Sequence, residues 1–367
     1  MVQSDETSRN SPQDRRVPLD KEKAKAFTER VFADVAGAMT AGMAFIGTKT
    51  GLFRAMAGRG PIRLAEVVSA SGLHPRYVEE WLKGMTCAGY LEYDPSAQTY
   101  CLPEEHAYML ASDGTDHFVG GLFCMAPVLL RTAPQVAEAF ASGGGVRFED
   151  FGTDGIASLD LINRGQYEHR LTSYWLKTLP HVVRRLEEGG RVLDVGCGAG
   201  RVCMAFAKEF PRATVVGLDR DAESIRQANA AAAAAGLADR IRFLAAAASD
   251  CETGFDLITV CDCIHDFASP EQTLREIRAL LKPEGTLFIV EPKVADRLED
   301  NLNPVATMFY GFSIFHCMTQ SLAAGGPGLG TCLGPARTED LVRSCGFRRF
   351  ERLEIRSSVN LFYAAYP

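Results

Sequence analysis

The chain has no surplus of positive charge: 39 Lys and Arg face 46 Asp and Glu, a formal net charge of -7. No global basic field therefore recruits nucleic acid or an anionic membrane. Also missing is an uninterrupted apolar run long enough to cross a bilayer. The first 23 residues are polar and carry no apolar signal-peptide core, so residues 1–20 are expected to form a disordered tail. Framework spacing is absent from the 11 cysteines, which are scattered through apolar segments such as "GLFCMAP" and "RSCGF". An odd, unpatterned set argues against a disulfide scaffold and for reduced thiols in a cytoplasmic protein.

At 367 residues, 47% apolar and 23% charged, the sequence suits two globular domains. From Lys21, Phe27, Val31, Val35 and Met39 recur at helical spacing. The stretch "IRLAEVVSASGLHPRYVEEWLKGMTCAGYLEYDPSAQTYCLP" reads as helix, turn, helix and two short strands joined by "DPSAQ", the order of a winged helix. Gly72 closes its first helix, Pro75 opens its second, and Asp94-Pro95 starts the turn. The second helix, expected from Arg76 to Ala88, sets Glu79 and Glu80 against Arg76 and Lys83, a poor match for DNA phosphates. A dimerisation or substrate-lid role is expected instead. Residues 105–140 look helical, and Gly143 to Gly145 read as a hinge. The expected organisation is a helical winged-helix domain at 21–145, a hinge and linking helices at 146–185, and a second domain at 186–367.

In that second domain, short β-rich runs ("RVLDVGC", "ATVVGLD", "IRFLAA", "FDLITVCD", "GTLFIVEP") alternate with helical stretches. This predicts an α/β, doubly wound parallel sheet covered on both faces, with a ligand beyond the carboxyl ends of its strands. In "VLDVGCGAGR" a strand runs into Gly196, Gly198 and Gly200, and a helix starts at about Arg201. Glycines there let backbone N–H groups approach a ligand closely. Asp219 ends the next strand, where an acid can accept hydrogen bonds from both ribose hydroxyls of a nucleoside. The dinucleotide pattern G-x-G-x-x-G would need a third glycine where Arg201 stands, which disfavours the alternative of a NAD-dependent oxidoreductase.

On "DVGCGAG", "GLDRD" and "FDLITVCDCIHDF" this half resembles the class I S-adenosylmethionine-dependent methyltransferases. The resemblance implies a Rossmann-like domain with S-adenosyl-L-methionine as cofactor. Gly196, Gly198 and Gly200 would line its methionine and ribose portion, and Asp219 would hold the ribose with Arg220 beside it. Asp194 would lie near the amino group through water, and Cys261 and Asp262 near the sulfonium. Many members carry an adenine-binding Asp where this chain has Ala247. Adenine is then expected to meet backbone and apolar packing, or a shifted Asp250. With its winged helix, the chain resembles bacterial small-molecule methyltransferases whose N-terminal half promotes dimerisation and roofs the pocket. That implies a homodimer with a small-molecule substrate and no nucleic-acid or membrane partner. "NPVATMFYGFSIFHCMTQSLAAGGPGLGTCLG" looks like the late insertion of this group, a substrate lid at about 297–335. A cofactor-sensing winged-helix regulator is the rival; it would need a basic helix.

Two catalytic residues are expected. His265 follows the fourth strand at the ligand mouth, as a general base or bonded to a helix start where Ser269 and Gln272 form a capping box. Glu291 ends the fifth strand at the same rim, as a substrate contact or a structural ion pair. Tyr310, His316 and Cys317 are expected in the pocket wall, although Tyr310 and His316 would not share a face of a continuous helix. In "VCDCIHDF", Cys261, Cys263 and His265 would offer three metal ligands only if the strand ran on through "HDF". A turn is expected there, and no metal. Enzymes resembling the plant phenolic O-methyltransferases carry a second His shortly after the "HD" pair; Phe267 to Gln272 contain none. The acceptor atom, O, N, S or C, therefore stays open, a thiol included.

Overall fold

The computed structural model describes residues 18–367, so the expected tail falls outside it except for its last residues, where Asp20 caps the first helix. Helix α1 (Lys21–Thr50) starts where the Asp20 carboxylate accepts from the N–H groups of Glu22 and Lys23. Of its 30 residues only Ala44 and Gly47 are buried, and Phe27, Val31, Phe32, Val35 and Met39 are exposed. By length and composition alone α1 is apolar enough to cross a membrane. Interspersed Ala, Gly and Thr hide this from a search for an uninterrupted run.

The winged helix forms as read. Helix α2 (Leu52–Met56) and strand β1 (Ile62–Arg63) lead to α3 (Leu64–Ser71), then α4 (Pro75–Cys87), β2 (Glu92–Asp94) and β3 (Thr99–Cys101). The three strands pair in the order β1-β3-β2. Asp94 Oδ1 accepts from Ser96 N and tightens the wing turn. Trp81 anchors α4 by donating to Met43 O at 2.8 Å, where Gly47 leaves room for its ring. On α4, Arg76 pairs with Glu80 and Lys83 with Glu79, so these cations are already neutralised.

Helices α5 (Glu104–Leu110), α6 (Gly120–Arg131) and α7 (Ala133–Ser142) end at the glycine run. The expected hinge is anchored: a Cβ on Gly145 would lie 1.9 Å from Thr319 O, and Val146 N donates to Thr319 Oγ1. Helix α8 (Gly152–His169) then passes through a short π turn, Leu171–Trp175, before α9 (Pro180–Glu187).

Seven strands build the sheet of the second half: β4 (Arg191–Val195), β5 (Thr214–Asp219), β6 (Ile241–Ala245), β7 (Phe255–Cys261), β8 (Leu281–Pro292), β9 (Arg349–Arg352) and β10 (Asn360–Tyr366). Their order is β6-β5-β4-β7-β8-β10-β9, parallel except for β10, which runs antiparallel between β8 and β9. The pleat divides each strand between two cores. Val192, Val215, Leu257 and Phe288 face α9, α10 (Arg201–Glu209) and α11 (Ala222–Ala234); Leu193, Val216, Ile258 and Leu287 face α12 (Pro270–Leu280). The chain winds outward from β4 through β6, then returns to β7 on the other side of β4. That reversal opens a crevice at the strands' carboxyl ends. The insertion, α13 (Pro304–Phe312), a π turn at Ser313–Cys317 and α14 (Met318–Ala323), roofs it, and α15 (Pro335–Ser344) completes the second face.

Candidate active site

A cavity of about 980 Å³ joins the glycine loop, α8 and the insertion. Its floor is made by backbone. Gly196, Gly198 and Gly200 all have positive φ, and a Cβ added at Gly198 would meet nothing within 4 Å, so this turn presents bare backbone to open space. Asp219 braces the turn: Oδ2 accepts from Gly198 N and Oδ1 from Asp221 N, both at 2.9 Å. Burial raises its pKa, with the backbone donors opposing. Each oxygen keeps a lone pair for a further donor.

Asp194 is 2% exposed and lines the same cavity. Thr259 Oγ1 donates to it at 2.6 Å and Cys203 Sγ at 3.8 Å, yet burial pushes its carboxyl up to about 7. A cationic ligand group brought beside it would restore its charge. Arg220, Ala247, Cys261 and Asp262 also line the cavity. Asp250 lies outside the cavity lining. It is turned back into its own loop, where Oδ2 accepts from Ala247 N at 3.1 Å.

Strand β7 stops at Cys261, and the chain turns at Asp262, a non-glycine residue with φ +53°. The turn breaks the alternation that would have aligned Cys261, Cys263 and His265. Cys263 Sγ instead bonds Val195 O at 3.3 Å under the glycine loop. Asp262 is held in its strained conformation by Tyr167 OH on Oδ2, 2.7 Å, and Asn360 Nδ2 on Oδ1, 3.1 Å. Burial raises its carboxyl to about 6. Neither partner was legible beforehand, because Tyr167 comes from α8 and Asn360 from β10, each nearly a hundred residues away.

His265 is 2% exposed and lines the cavity. Its Nδ1 lies 2.6 Å from Glu291 Oε2, while Glu291 Oε1 accepts from Ile264 N. Glu291 is buried behind the ring and outside the cavity lining, away from the place expected for a substrate contact. Burial lowers the basicity of the ring, but the charges of Glu291 and Asp266 outweigh it and hold His265 well above the ordinary histidine range. The two carboxylates favour the charged form of the ring, which works against the expected role as a general base. The expected capping box is also replaced: Ser269 caps α12 without its side chain, and Gln272 bonds Glu276.

In the roof, Tyr310 is 39% exposed and lies outside the cavity lining, which corrects its place in the pocket wall. Phe309 and Phe312 line the cavity in its stead. His316 and Cys317 reach the cavity because the π turn shifts the helical register after Phe312. His316 packs on Phe151, ring centroids 4.5 Å apart, and burial lowers its pKa. Arg201, at the position where a dinucleotide loop needs glycine, holds α8 over the cavity through Asp160 at 2.6 and 2.9 Å and Glu168 at 3.1 Å.

Family models match a methyltransferase domain at residues 186–324 and an Rv2258c-like winged HTH domain at 38–112. Among curated relatives, the methyltransferase phqN of Penicillium fellutanum is 30% identical over 130 residues, 33% of this chain and 37% of the relative. The ubiquinone biosynthesis O-methyltransferase of Paracidovorax citrulli is 34% identical over 104 residues, 28% of this chain and 43% of the relative. The chain thus spans less than half the length of each. Solved structures align over nearly the whole chain at low identity, which speaks for the fold. Human N-acetylserotonin methyltransferase in complex with SAM gives a TM-score of 0.64 at 20% identity, covering 92% of this chain and 97% of the other. An O-methyltransferase family protein from Burkholderia thailandensis gives 0.63 at 15%, covering 95% and 98%. The chain thus carries a methyltransferase domain preceded by an Rv2258c-like winged HTH domain, in a fold shared with these solved methyltransferases.

Proposed function

We propose that the protein transfers a methyl group from S-adenosylmethionine to a small molecule held under the insertion. The observation that carries this is the single cavity, open to the glycine turn and Asp219 at one end and to His265, His316 and Cys317 at the other. The residues fit the cofactor: bare backbone at Gly198 leaves room for it, the Asp219 carboxylate suits ribose hydroxyls, and Asp194 suits an ammonium group. Bound there, it supplies an electrophilic methyl carbon and leaves as a neutral thioether. The protein's part is mainly alignment, which contributes on the order of 7–11 kcal/mol when reacting groups are held in line. The insertion and α8 keep water from the acceptor, Tyr167 and Asn360 fix Asp262 beside the cofactor, and Glu291 fixes His265 at the acceptor end.

Incubating the protein with cofactor and a panel of thiols, phenols and amines, followed by mass spectrometry, tests the reading. A product heavier by one methylene supports it. Calorimetry showing no heat with S-adenosylhomocysteine would overturn it. The exposed stripe on α1 supports a homodimer, with a second copy covering Phe27, Val31 and Val35. Light scattering should then find a dimer, and a monomer when Val31 and Val35 are both changed to Glu. The rival, a regulator that binds DNA through α4, lacks free cations at Arg76 and Lys83.

A further inference from the structure

The acceptor end of the cavity holds more polar atoms than it has partners for. Asp266 Oδ1, His316 Nε2 and Thr331 Oγ1 are buried without a hydrogen bond, although His316 is 3% and Thr331 4% exposed. Unpaired groups of this kind cost about 1–3 kcal/mol each, and three in one place ask for a ligand. His265, Asp266 and Cys317 meet among them, one ligating atom from each lying within 4.8 Å of the others. His265 Nε2 and Asp266 Oδ1 are 3.6 Å apart, too far for a hydrogen bond. That spacing suits two ligands on one tetrahedral ion, which sit roughly 3.3–3.6 Å apart for nitrogen and oxygen bonds of about 2.0–2.2 Å.

We infer that His265 Nε2, the Asp266 carboxylate and Cys317 Sγ form a site for a borderline divalent cation of the Zn²⁺ class, with its fourth position open to the cavity. The ring is prepared as metal-bound histidines usually are, since Nδ1–H donates to Glu291 Oε2 at 2.6 Å, which leaves Nε2 for the ion. Charge agrees: a carboxylate and a thiolate balance a dication, whereas without one the buried ring faces two carboxylates, Glu291 and Asp266. Mixed N, O and S donors select zinc over magnesium or calcium. Three protein ligands with an open position are the arrangement of a reactive zinc, not a structural one. This site is distinct from the Cys261, Cys263 and His265 set, whose strand ends too early to gather them. We assign a thiol acceptor to the open position, because a soft thiolate is a preferred ligand of zinc. This last step rests on the methyltransferase reading; the ion site does not.

The test uses chelator-stripped full-length protein titrated with Zn²⁺ and, for spectroscopy, Co²⁺. One equivalent per chain is expected, with a thiolate-to-cobalt charge-transfer band that disappears in Cys317→Ser and persists in Cys263→Ser. Glu291→Gln should weaken zinc binding about 10–100-fold. A small thiol such as 2-mercaptoethanol should perturb the cobalt spectrum, and phenol should not. No metal uptake, or uptake unchanged in both Cys317→Ser and Asp266→Asn with native circular dichroism, overturns the site. A spectrum blind to the thiol overturns the assigned occupant. Calorimetry with S-adenosylhomocysteine on the same stripped protein judges the methyltransferase reading separately.

Discussion

The two ends of the cavity are built by opposite means. At the cofactor end the backbone does the shaping: three glycines with positive φ and a carboxylate that braces them, all within one βαβ unit. At the acceptor end side chains do it, brought from β8, the loop after β7 and a π turn in the insertion. A local backbone site is rigid and specified by a few adjacent residues. A site of buried side chains from distant segments depends on every packing contact that carries them there. Substitutions at the first end should therefore act sharply and separately, and those at the second should be coupled.

The contrast is broken most directly at Asp219. Asp219→Ala removes an acceptor for two ribose hydroxyls, each worth about 1.5–3 kcal/mol to a charged group. S-adenosylhomocysteine should bind roughly 10²–10⁴-fold more weakly by calorimetry; unchanged binding would remove the nucleoside from this end. Next comes Asp194. Its folded pKa of about 7 stands above its ordinary 3.8, so the native state binds the proton more tightly and loses stability as pH climbs from about 4 to about 7. The shift corresponds to roughly 4 kcal/mol. Asp194→Asn should flatten this decline in urea melts of the ligand-free protein, and a parallel decline in both proteins would refute the assignment. Gly200→Ala sharpens the contrast within the loop, because φ is +79° and the new Cβ would lie 2.6 Å from the Phe243 ring. It should cost about 2–4 kcal/mol in denaturant unfolding. The smallest effect belongs to Tyr310→Ala, at under about 0.5 kcal/mol of stability, with turnover unchanged. A large loss of turnover there would return Tyr310 to the pocket.

The same contrast explains what the sequence disclosed. The winged helix, the alternating sheet and the glycine turn rest on short-range patterns, and Gly72, Pro75, Gly200 and Asp219 take the positions their spacing implies. The reach of Tyr167 and Asn360 to Asp262 is a contact across nearly the whole second half, and no local pattern records it. Tyr310 and His316 are six apart in a stretch read as one helix, but a single π turn re-aims everything after Phe312. Glu291 and His265 were both singled out, yet only their packing reveals that one holds the other.

Gly145 gives the roof a mechanical tie. Where the glycine run meets α14 there is no space for even one methyl group, and Val146 is bonded to the same threonine. A roof that lifts to admit an acceptor must drag the connecting chain with it, and through that chain the helices of the N-terminal half. Opening the pocket and shifting the neighbouring half are then one displacement.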